Sequence, residues 1–154
     1  MKHITNTLTL TIILFCSCSM SFAESALTFK QAWIAEAPPV SRVLAAYMEI
    51  INSSDKTIII GSMKSDDFKK IEFHRSIQEN DIAKMQHQTS LSIPAYGSLK
   101  LEPGSYHLML FNPVRRLLAG DKSTFTAITA DDKHYELDIF VKKSNDTHQH
   151  HHHH

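Results

Sequence analysis

The chain has only two cysteines, Cys16 and Cys18, and both fall within its first 23 residues. That opening segment starts with Lys2 and His3, runs through an apolar stretch over residues 8–16, and closes on Ser21-Phe22-Ala23, with small residues at the two positions a signal peptidase reads. The pattern predicts a secretory signal over residues 1–23, removed on export. Its apolar stretch is well short of the roughly 20 residues that cross a bilayer, which argues against a retained membrane span. A lipid on Cys16 or Cys18 is disfavoured, because Phe15 precedes Cys16 and Phe15-Cys16-Ser17 precedes Cys18. The mature chain is then expected to carry no thiol, so neither a disulfide nor a thiolate metal site is open to it.

Excess charge of either sign is also missing, with 16 Lys and Arg against 16 Asp and Glu. No basic field suggests nucleic acid or an anionic membrane surface as a partner. The Gly-x-Ser-x-Gly elbow, the P-loop and His-Glu-x-x-His are absent. The acidic pairs Asp66-Asp67 and Asp131-Asp132 sit in polar breaks and read as solvated turns. Removing the signal leaves about 130 residues, enough for one domain over 24–143 and too few for a separate catalytic one. A non-enzymatic, monomeric protein is expected.

Residues 144–154 end in His148-Gln149 and the run His150 to His154, compositionally a disordered, metal-binding tract. Two origins stay open for it, a purification tag or a native extension.

What the chain does have is a succession of short β-rich runs separated by polar or Pro/Gly breaks, the habit of a sandwich or barrel. Strands are predicted over 27–33, 43–52, 57–63, 70–76, 82–88, 98–102, 106–112, 123–129 and 134–141. No long amphipathic helical stretch competes with them, and there is no internal repeat.

Among these runs stand four potential ligands, His74, Met85, His107 and Met109. A thioether is a soft, neutral donor that binds hard cations poorly, and Cu(I) accepts it readily beside imidazole. Two Met and two His therefore suggest Cu(I) before zinc, calcium or magnesium. Strand parity puts His107 and Met109 on one side of their strand, about 7 Å apart, with Tyr106, Leu108 and Leu110 on the core side. The same test separates Ile71 and Phe73 from Glu72, His74 and Ser76, so both histidines are expected to face solvent or a rim. A hairpin tip at Glu79-Asn80 sets Met85 opposite His74; one centred on Asn80-Asp81 sets His87 there instead, as an auxiliary ligand. Both registers are compatible with the sequence.

The spacing His, ten residues, Met, twenty-one residues, His-x-Met resembles that of the periplasmic copper chaperones of the PCu(A)C family. The likeness extends through Gln31-Ala32-Trp33-Ile34, Ala37-Pro38-Pro39, Ala45-Ala46-Tyr47-Met48, Ile93-Pro94, Pro103-Gly104-Ser105-Tyr106-His107-Leu108-Met109-Leu110 and Leu118-Ala119-Gly120-Asp121. It implies an all-β, cupredoxin-like Greek-key barrel or sandwich and a shallow Cu(I) site made by His74, Met85, His107 and Met109. It also implies delivery of Cu(I) in the periplasm to the copper-site subunit of cytochrome oxidase, or to another periplasmic copper carrier. One departure stands out: the family often has a second Met two residues after the first His, and here Ser76 occupies that place, with Arg75 between as a residue able to affect docking. Two other functions are compatible with the residues, a copper buffer or resistance protein relying on the His-rich tail and an immunoglobulin-like assembly module without a metal.

Overall fold

A computed structural model describes residues 25–79 and 82–143. The expected signal segment, the hairpin-tip residues Asn80 and Asp81, and the His-rich tail lie outside the described residues. All regular structure among the described residues is β: β1 Leu27–Ala35, β2 Val43–Asn52, β3 Ile58–Lys64, β4 Phe68–Glu79, β5 Ile82–Gln88, β6 Leu91–Ile93, β7 Ser98–Leu101, β8 Tyr106–Pro113, β9 Lys122–Thr129 and β10 His134–Lys142. No helix among these residues is long and apolar enough to cross a membrane. The span expected over 70–76 extends at both ends in β4, because the polar residues Gln78 and Glu79 continue the ladder opposite Ala83 and Ile82. β6 has no counterpart among the predicted strands; three residues are too few to display a period.

The strands form one continuous sheet in the order β5-β4-β8-β7-β2-β1-β10-β9-β3-β6, with β8 also pairing β2. β1 pairs parallel with β10, and the remaining ladders are antiparallel apart from a single β7–β8 contact. The architecture is cupredoxin-like. Its halves close on each other, and Phe68 of β4 packs on Phe125 of β9 with ring centroids 5.8 Å apart. Period-two alternation supplies the core: Leu44, Ala46, Met48 and Ile50 are buried along β2, and Leu108 and Leu110 along β8. Each such Leu or Ile contributes roughly 2 kcal/mol by leaving water.

β5 is the terminal strand of the sheet, and its residues from Ile82 to His87 are exposed. The corner built from β5, β4, β8 and β2 thus presents one covered face to the core and another outward. The predicted ligands occupy that outward face.

Candidate metal site

The β4–β8 ladder sets His74 directly opposite His107, and the β4–β5 ladder sets His87 directly opposite His74. Directly opposed residues share a sheet face, so three imidazoles lie in one row across three strands. Ring centroids are 5.5 Å apart for His74 and His87 and 6.0 Å for His74 and His107. The thioethers flank this row. Met85 sits opposite Ser76 in the row on one side, and Met109 sits opposite Glu72 and Ala45 in the row on the other. Of the two hairpin registers, the structure takes the one that pairs His74 with His87. Met85 is accordingly a diagonal neighbour of His74 and not its direct partner.

The two histidines expected to face solvent or a rim are less exposed than that. His107 is buried, with 6% exposure, and the His74 side chain is 13% exposed. Parity gave the face correctly but carries no information about what covers it. A shallow pocket of about 240 Å³ opens over this face, lined by His107, Met109, Met85 and Ser76 together with Val43, Tyr47, Pro103 and Gly104. Met85 is 65% exposed, so the donors grade from open on β5 to buried on β8.

Hydrogen bonds distinguish the ring nitrogens. His107 Nδ1 donates to the Ser105 carbonyl at 3.0 Å, leaving Nε2 free for a ligand. That carbonyl also accepts from the Ser76 amide at 3.0 Å, and the turn before it is shaped by Gly104 at φ 82°. On β4, His74 Nε2 donates to Glu72 Oε2 at 2.8 Å, while its buried Nδ1 has no partner. Hydrogen bonds from Lys70 and His74 hold the Glu72 carboxyl down to about 2. Glu72 shares the His74 face through its i, i+2 spacing on one strand, a signal present in the sequence that by itself names no role.

Arg75, considered for docking, projects from the other face of β4 and stacks on Tyr106 with its guanidinium 5.1 Å from the ring centroid. No group of three or more His, Cys, Asp or Glu among the described residues is disposed to hold a metal. The two histidines and two methionines singled out in the sequence lie in neighbouring rows of one sheet face, and thioethers favour a soft ion.

The sequence profile of the family described as putative lipoprotein LpqE-like matches residues 27–141. Among curated proteins, the chain is 28% identical over 127 residues to an uncharacterized protein, RP573, of Rickettsia prowazekii, covering 80% of this chain and 70% of that one. It is 29% identical over 113 residues to the putative lipoprotein Lxx21020 of Leifsonia xyli, covering 73% and 67%. The copper-bound PCuAC domain from PmoF2 shares the fold, with a TM-score of 0.67 and 18% identity over 78% of this chain and 95% of that domain. The Cu(I) form of DR1885 from Deinococcus radiodurans matches with a TM-score of 0.64 and 26% identity over 82% of this chain and 85% of its own.

Proposed function

The chain belongs to the LpqE-like family, and from that premise we propose that it is an exported metallochaperone carrying Cu(I) on His74, Met85, His107 and Met109. The observation that carries this reading is the row of imidazoles flanked by two thioethers, with a buried His74 nitrogen left without a partner. The likeness to DR1885, solved with Cu(I), supports the choice of metal. Copper is here the cargo.

The donors suit carriage better than catalysis. All four are neutral, so the bound ion keeps its single positive charge, and an acceptor offering thiolates can take it by stepwise ligand exchange. Exposed Met85 is the natural first donor to be displaced, while buried His107 holds the ion until transfer is under way. A blue-copper electron carrier needs a Cys thiolate in the site, and none stands beyond residue 23. Residues 1–23 act in this proposal as the export signal, and the family's description as lipoproteins agrees with life outside the cytoplasm. The acceptor is the copper-site subunit of cytochrome oxidase or another periplasmic carrier.

The test is to load the protein with one Cu(I), mix it with an apo acceptor domain holding two cysteines, and follow copper on each after separation. A chaperone gives up its copper within the mixing time and keeps one tight site when residues after Lys143 are deleted. Loss of most of the bound copper with that deletion would instead identify a buffer working through its tail, and retention against the acceptor would overturn carriage.

A further inference from the structure

We propose that Glu72 is a positioning residue for the copper site: its hydrogen bond keeps the His74 proton on Nε2 and so presents the bare Nδ1 to the metal. This inference rests on the copper reading above and adds to it the means by which one ligand is prepared.

An ionised carboxylate only accepts hydrogen bonds, so a ring nitrogen 2.8 Å from Glu72 Oε2 must be the protonated one. In a neutral imidazole the other nitrogen then carries the lone pair. That atom, Nδ1, is buried and has no partner in the protein. The large majority of buried side-chain polar atoms are partnered, so this exception calls for a cause, and an awaited metal ion supplies one. The pairing is asymmetric across the ladder. His107, directly opposite, spends Nδ1 on the Ser105 carbonyl and keeps Nε2, so the two facing imidazoles offer different nitrogens.

Glu72 is not itself available as a donor. Its oxygens each carry one contact, Lys70 on Oε1 and His74 on Oε2, and a hard carboxylate oxygen is a poor donor for Cu(I). Nor is it an ordinary surface ion pair: the Glu72 side chain is 17% exposed against 64% for Lys70, so its enclosed partner is the histidine. Carboxylates hydrogen-bonded to a metal-binding imidazole fix its tautomer and orientation, and losing one typically weakens metal binding about 10- to 100-fold.

The test uses the purified protein with ¹⁵N-labelled histidine, before and after Cu(I) loading, as wild type, Glu72→Ala, Glu72→Gln and Lys70→Ala. Long-range ¹H–¹⁵N spectra of the copper-free protein should show His74 with its proton on Nε2 in the wild type and Lys70→Ala, a mixture in Glu72→Ala, and His107 unchanged in all. Competitive titration should show Cu(I) affinity falling about 10- to 100-fold in Glu72→Ala and less in Glu72→Gln, whose amide oxygen still accepts from Nε2. Wild-type His74 protonated on Nδ1 would overturn the inference. So would unchanged affinity in Glu72→Ala, or lost affinity with the His74 tautomer unmoved. Absence of tight Cu(I) binding by the wild type, with its tautomer as stated, overturns the copper reading itself.

Discussion

Two polar side chains, Asn52 and the half-buried His74, show how this fold separates structure from function. Asn52 lies on the core side of β2, and its side chain is fully engaged: Nδ2 donates to the carbonyls of Lys56, Ile93 and Pro94 at 2.7, 3.1 and 3.0 Å, and Oδ1 accepts from the Ser54 amide and hydroxyl. It ties the end of β2 to the strand β6. His74, by contrast, keeps a buried nitrogen unpartnered. The two should respond oppositely to truncation. Asn52→Ala leaves buried carbonyls without donors and should lower unfolding free energy by about 2–3 kcal/mol in urea titration, with Cu(I) affinity unchanged.

The elements place the donors, and the β4–β5 ladder sets which residue meets which. Ser76 faces Met85 on the strand next to it and lines the pocket beside His107, so a thioether there is within reach of the same ion. Ser76→Met should therefore tighten Cu(I) about tenfold, near 1.4 kcal/mol, read by competition against a chromogenic Cu(I) chelator. Much of this corner was legible in the sequence. Parity along β4 and β8 assigned His74, His107 and Met109 to the face away from Leu108, Leu110 and Phe73, because alternation is local. The register was not legible, since Glu79-Asn80 and Asn80-Asp81 are both acceptable turns, and moving the turn by one residue shifts the partner of His74 by two, from Met85 to His87. The burial of His107 was hidden for another reason. The pocket walls around it come from Leu44 and Tyr47 on β2 and from Pro103 and Gly104, all distant from His107 in sequence or beyond its own strand.

At the scale of the whole molecule, charge is balanced, and acid should act through a few carboxylates with partners. Burial pushes Asp67 up, but hydrogen bonds from Arg115 and Ser123 outweigh it and hold the group below the usual carboxylate value. Asp138 is lowered by hydrogen bonds from Lys122 and Thr124. Groups depressed in the folded state bind more protons when unfolded, so their stabilisation is present above about pH 4 and is lost as pH falls through the folded values. Urea midpoints should drop below about pH 4, and Arg115→Gln should shrink that drop while lowering stability at neutral pH. The proposed copper site uses neither Asp67 nor Asp138. Competitive Cu(I) titration of the wild type, His74→Ala and Met109→Ala tests that site most directly: one tight Cu(I) per chain is expected in the wild type, weakened at least about tenfold by either substitution. Wild-type affinity in both variants would contradict it.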